Sequence, residues 1–165
     1  MIQKKICMLG GFAVGKTSLV ARYVTSLFSE KYLTTVGVKI DKKSVRAGDT
    51  DVDLVIWDIY GQDDYQKIQT SYLRGASGFL IVADGTRRAT LDTALALRDT
   101  ARAVSPDAAF TMVINKVDLV KDWEVPDTLI DILVLRGWRV LKTSAKTGAE
   151  VEHAFLTLAE SMVGT

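Results

Sequence analysis

The sequence predicts an α/β fold: a six-stranded, mostly parallel sheet with one antiparallel edge strand and helices on both faces. Three observations carry that prediction. Short apolar runs rich in branched residues alternate with longer stretches at helical spacing, the pattern of strands joined by crossover helices. Two of the runs, Phe79 to Ala83 and Phe110 to Ile114, are apolar on both faces, as central strands of a covered parallel sheet must be. Two others, Val38 to Val45 and Val52 to Trp57, flank the turn-rich Ala47-Gly48-Asp49-Thr50 and read as an antiparallel hairpin, the source of the edge strand.

In chain order, Ile6 to Leu9 reads as a buried first strand and Lys16 to Ser26 as the helix after it. The hairpin and the two central strands follow. Leu91, Leu95, Arg98 and Arg102 keep helical spacing, with Thr90 as N-cap. Pro126 suits the first turn of a further helix, which Gly137 ends. Val140 and Leu141 belong to the last strand. Val151, Phe155, Leu158 and Met162 form one apolar stripe at i, i+4, i+7 and i+11, a closing amphipathic helix. No linker, low-complexity stretch or internal repeat interrupts the pattern, so residues 1–165 read as one domain.

Composition narrows the function classes. A chain of 165 residues can bury roughly two-thirds of its unfolded surface without staples. Apolar residues at 48% and charged residues at 25% exclude a disordered chain. With 21 Lys and Arg against 20 Asp and Glu, the net charge of +1 gives no electrostatic footprint for nucleic acid or an anionic membrane. Cys7 stands alone, which excludes an internal disulfide and a cysteine-cluster metal site. Phe79 to Ala83, the longest strictly apolar run, is far too short to span a bilayer. Lys4-Lys5 precede only Ile6 to Leu9 before glycines intervene, which is not a signal peptide. Ile2 gives no myristoylation signal and Ser161 to Thr165 holds no prenylatable cysteine. The expectation is a soluble, cytoplasmic chain with no nucleic-acid partner and no direct membrane anchor.

In a parallel sheet the ligand sits beyond the carboxyl ends of the strands, so the loops after strands are where chemistry is expected. After the first strand comes Gly10-Gly11-Phe12-Ala13-Val14-Gly15-Lys16-Thr17-Ser18, which satisfies G-x-x-x-x-G-K-S/T. Glycines let the backbone wrap an anion, successive N–H groups receive phosphate oxygens, and the following helix adds its N-terminal dipole. Lys16 brings a mobile charge to the β and γ phosphates and the Thr17 hydroxyl ligates Mg²⁺. A plain glycine turn would also join strand to helix, but it needs neither the lysine nor the hydroxyl.

The base is read elsewhere. Asn115-Lys116-Val117-Asp118 follows the fifth strand. The Asp118 carboxylate accepts two hydrogen bonds from guanine N1–H and its amino group, whereas adenine would turn a lone pair on a buried anion. That mismatch is worth about 10⁴ in preference. Lys116 lies over the base and ties this loop to the phosphate loop, and Ser144-Ala145-Lys146 offers a backbone N–H to guanine O6. After the third strand, Asp58-Ile59-Tyr60-Gly61-Gln62 supplies a carboxylate to hold a water on Mg²⁺, a Gly61 N–H for the γ-phosphate and Gln62 to orient the attacking water. The polar segment from Phe28 to Val38 carries Thr35 as a second hydroxyl ligand to Mg²⁺. With GTP bound both segments are tied to the γ-phosphate; after hydrolysis to GDP both are released.

With these five segments placed, the chain resembles a small GTPase of the Ras superfamily, most of all the Rab branch. Thr35-Val36-Gly37-Val38 is similar to the Rab T-I-G-V segment, Ser71 to Gly78 to S-Y-Y-R-G-A-x-G, and Trp57-Asp58-x-x-Gly61-Gln62 to W-D-T-A-G-Q except at two positions. The resemblance implies a P-loop NTPase G domain that cycles between GTP and GDP. It implies that Phe28 stacks edge-on against guanine and Tyr32 closes over the phosphates. It places Ile40, Trp57 and Tyr72 as an apolar triad read by effectors, and implies exchange and activating proteins on the same loops. Phe12 stands where the family keeps a small residue and leaves little room for a partner's arginine; Tyr60 stands where the family has a methyl. No arginine lies between Leu27 and Val38, so slow hydrolysis is predicted. The alternatives are a guanine-nucleotide module with negligible hydrolysis and an ATP-using P-loop enzyme, the latter opposed by Asp118. Cys7, Trp123 and Trp138 read as packing residues, His153 as a surface residue, and Arg87-Arg88 as a solvated charge pair.

Overall fold

The structure, a computed structural model, describes residues 2–25, 38–59 and 70–163. Its strands are β1 (Ile2–Gly10), β2 (Val38–Ala47), β3 (Thr50–Ile59), β4 (Gly78–Asp84), β5 (Ala109–Asn115) and β6 (Val140–Lys142). Its helices are α1 (Lys16–Thr25), α2 (Thr70–Leu73), α3 (Ala89–Val104), α4 (Asp127–Leu135) and α5 (Val151–Val163). One six-stranded sheet has the order β2-β3-β1-β4-β5-β6. Only β2 and β3 pair antiparallel, from Val38 opposite Ile59 to Ala47 opposite Thr50; the other pairings are parallel. The predicted fold class is the observed one.

Period-two alternation along β1 builds a core on each face of the sheet. Ile6 and Met8 join Leu80, Val82, Leu19, Phe155 and Leu158 beneath α1 and α5, where Tyr23 stacks on Phe155 with ring centroids 4.0 Å apart. Cys7 and Leu9 face the other way, among Ile81, Met112, Leu91 and Ala94, with Leu129 and Ile130 of α4 packed against this layer. Each fully buried aliphatic side chain contributes about 1.5–3 kcal/mol, which makes these two layers the main stabilising term. They fix β1, β4, β5 and β6 side by side and pointing one way, so Gly10, Asp84, Asn115 and Lys142 lie along one rim.

Three local readings are corrected. Thr90 is not a cap: α3 starts at Ala89, and the Thr90 hydroxyl accepts the Asp84 N–H at 2.8 Å, tying the helix to the end of β4. Pro126 stands at the N-cap of α4, one residue before the first turn, with extended backbone. Strands also run past their apolar runs, because β1 and β3 continue pairing through half-exposed residues as far as Ile2 opposite Val52. Gly137 does follow α4, at φ 88, the left-handed backbone that glycine adopts without cost. Among the described residues no helix is long and apolar enough to cross a membrane.

Candidate functional site

The loop from Gly10 to Thr17 turns through left-handed backbone at Ala13 (φ 59) and Gly15 (φ 104) before α1 begins at Lys16. Such alternation curls a chain so that its N–H groups converge on one concavity. Gly15 has a second reason to lack a side chain. A Cβ there would stand 2.2 Å from Asn115 Nδ2, the group that donates to Val14 O at 3.0 Å. Gly15→Ala is therefore expected to lower the unfolding free energy by about 3 kcal/mol through strain and loss of that bond, measured by denaturant titration.

Lys16 is 7% exposed and bends back over the loop, donating to Gly10 O at 2.7 Å and Gly11 O at 3.3 Å. Burial pulls its ammonium down to about 8, against the opposing pull of the Asp58 carboxylate. Asp58, at the end of β3, is fully buried, and neither carboxylate oxygen has a hydrogen-bond partner among the described residues. Burial raises its affinity for a proton, while the Thr17 hydroxyl and the Lys16 and Lys39 ammoniums resist that rise. An unsatisfied buried carboxylate is costly, and beside a threonine hydroxyl it fits the oxygen donor set of a hard divalent cation.

The other end of the site is assembled from β4, β5 and β6. Asp118 Oδ1 accepts the Ser144 hydroxyl at 2.7 Å, which sets the plane of its carboxylate. Asn115 spends its amide on the scaffold: besides its bond to Val14 O, its Oδ1 receives the Thr143 hydroxyl at 3.1 Å and the Ala145 N–H at 3.2 Å. Three loops are thereby locked by one side chain. Lys116 reaches the phosphate loop as expected, donating to Ala13 O at 3.1 Å. Arg22 of α1 grips the carbonyls of Ala145 and Lys146.

Arg87 corrects the reading of a solvated pair. Its Nε donates to Asp84 Oδ2 at 2.9 Å and its Nη2 to Phe12 O at 2.8 Å. Asp84 also receives Lys116 Nζ at 2.8 Å. Burial would raise the Asp84 carboxyl, but bonds from Lys116, Thr86 and Arg87 outweigh it and hold the group down at about 2.

These elements enclose a cleft of about 670 Å³ lined by residues 12–18, Asn115, Lys116, Asp118, Leu119, Ala145 and Lys146. Every described residue of the predicted nucleotide set lines it except Ser144, which stands behind Asp118. Phe28, Tyr32, Thr35, Tyr60, Gly61 and Gln62 lie outside the described residues. Ile40 sits directly across the hairpin from Trp57, whose ring lies 6.4 Å from that of Tyr72, so the apolar triad is contiguous in space. Cys7 is buried and its thiol is pushed up to about 12 by desolvation, as a packing residue's should be. Trp123 lies against Gly85 and donates to Val125 O at 2.7 Å; Trp138 meets Phe110 edge-on. His153 is exposed beside Glu150.

Sequence reasoning missed Asp84, Arg87, Thr143, Arg22 and Leu119. A carboxylate closing an otherwise apolar strand, with an arginine three residues on, was the available signal for the first two; Leu119 follows Asp118 directly.

Comparison with known proteins agrees with this geometry. The Ras family model matches residues 5–164. The chain is 33% identical over 161 residues to the Ras-related protein Rab-1 of Theileria annulata, covering 96% of this chain and 73% of that protein. It is 36% identical over 159 residues to the Ras-related protein RABA6a of Arabidopsis thaliana, covering 93% and 67%. To the human Ras-related protein Rab-8B it is 31% identical over 161 residues, covering 96% and 78%. A sheet of this order, a phosphate-type loop at its centre and relatives along nearly its whole length lead to one assignment: the chain belongs to the Ras family, as a Rab-like small GTPase.

Proposed function

We propose that the cleft holds GTP or GDP, with guanine at Asp118 and the phosphates over residues 12–18, and that slow hydrolysis of GTP switches two loops read by partner proteins. The observation that carries this is the Asp118 carboxylate, fixed by Ser144 at 2.7 Å in the same cleft as Lys16. The Ser144–Lys146 segment presents a backbone N–H to guanine O6. Lys16 meets the β and γ phosphates, and its position inside the loop keeps water from competing for it. Thr17, Thr35 and, through water, Asp58 would hold Mg²⁺, which when bound supplies positive charge beside the phosphate oxygens. The Gly61 N–H donates to the γ-phosphate and Gln62 orients the attacking water. Phe28 and Tyr32 cover the base and the phosphates. Effector, exchange and activating proteins read the surface that includes Ile40, Trp57 and Tyr72. The whole of residues 1–165 acts as one G domain.

Phe12 favours a second reading, a guanine-nucleotide module with negligible hydrolysis. Its ring is 70% exposed at the mouth of the cleft, where a partner's arginine would enter. Single-turnover hydrolysis separates the two. The wild-type chain is expected to turn over GTP slowly and Gln62→Leu to slow it by roughly tenfold or more. An unchanged rate removes Gln62 from the mechanism, and a wild-type chain with no measurable turnover favours the second reading.

A further inference from the structure

Three consecutive carbonyls of the loop between β1 and α1 are each held by a side chain from another segment of the chain. Arg87 takes Phe12 O at 2.8 Å, Lys116 takes Ala13 O at 3.1 Å and Asn115 takes Val14 O at 3.0 Å. No described peptide bond is cis, so in each of these peptides the next N–H points opposite to the carbonyl. Arg87 does not line the cleft, so pinning the Phe12 carbonyl toward it turns the Ala13 N–H the other way, toward the cleft that Ala13 lines.

Asn115 and Lys116 come from the base-reading loop. Arg87 comes from the loop after β4, and it does not line the cleft. It is also anchored: Asp84 Oδ2 receives Arg87 Nε at 2.9 Å and Lys116 Nζ at 2.8 Å, so one buried carboxylate aims two cations at two successive carbonyls. A guanidinium suits this task because Nε and Nη2 bridge two acceptors at a fixed spacing, which an ammonium on a flexible stem does not.

We infer that Arg87 is a positioning residue for the polyphosphate: through the Phe12 carbonyl it orients the Ala13 N–H toward the outer phosphates of a nucleoside di- or triphosphate. This deepens the guanine-nucleotide reading of the cleft and rests on it. Arg87 does not line the cleft and acts through the phosphate loop, so its contribution scales with the phosphates and not with the base.

The test is displacement of a fluorescent GDP analogue from the full chain by GDP and by GMP, for wild type, Arg87→Ala and Arg87→Lys. Arg87→Ala is expected to weaken GDP about tenfold, a charge-assisted bond discounted for a half-exposed donor, with GMP unchanged. Arg87→Lys is expected to recover part of the loss. Equal GDP affinity in Arg87→Ala overturns the inference. So does an equal loss for GDP and GMP, which would mean that Arg87 only supports the fold. A wild-type chain that binds no GDP overturns the reading of the cleft itself, an outcome distinct from the other two.

Discussion

Asp118→Ala is expected to bring the preference for GTP over ATP from about 10⁴ down to near parity. The size of the effect follows from how the carboxylate is held. Ser144 donates to Oδ1 at 2.7 Å, so the group cannot swing away to accommodate a different base edge. Guanine meets it with two donors. Adenine meets it with an acceptor, and the repulsion is not relieved by rotation. Removing the carboxylate takes away both the attraction for one base and the penalty against the other, so GTP affinity falls while ATP affinity rises. Competition titrations with the two triphosphates measure the ratio directly. A preference that survives Asp118→Ala would place base selection elsewhere in the cleft, at Leu119 or at the Ser144–Lys146 backbone.

Lys16→Ala is expected to lower both GTP affinity and the single-turnover rate by 10²–10³ or more, the scale for deleting one preorganised electrostatic donor from a water-poor site. Lys16 is 7% exposed and already spends hydrogen bonds on Gly10 O and Gly11 O, so its ammonium is placed before any phosphate arrives. Burial draws it down to about 8, which still leaves it cationic at neutral pH. The substitution also strips Asp58 of a nearby positive charge. Circular dichroism and GMP displacement distinguish lost phosphate binding from a lost fold. A folded Lys16→Ala chain with wild-type GTP affinity would refute the assignment of this lysine.

The sheet and the phosphate loop were legible in the sequence because each is specified locally. Short apolar runs rich in branched residues and bounded by turn residues fit central strands, and Gly15-Lys16-Thr17 needs no distant partner to be understood. The placement of Asp118 in the cleft was legible for a related reason: it stands in a loop after a strand, where a parallel sheet gathers its ligand-facing residues. What stayed hidden was the scaffolding between loops. Arg87 looks like any exposed basic residue until β4 and β1 lie side by side and bring Phe12 O within 2.8 Å of it. Asn115 reads as part of a base-binding motif, yet its amide is spent on Val14, Thr143 and Ala145, all of them distant from it in the chain. Thr90 has the composition of a cap, but its hydroxyl is claimed by the end of β4, a tertiary demand that local propensity does not register. Contacts of this kind are created by topology, and a linear pattern carries no trace of them.

Cys7 has a practical consequence. The 165 residues hold one cysteine, sealed between sheet and helix, and burial pushes its thiol well above the ordinary range. Thiolate is the reactive form, so maleimides and iodoacetamides find nothing to attack in the native chain. A cysteine introduced at an exposed rim position such as Thr147→Cys would be the sole labelling point, and a dye placed there could follow occupancy of the cleft without first removing the natural thiol.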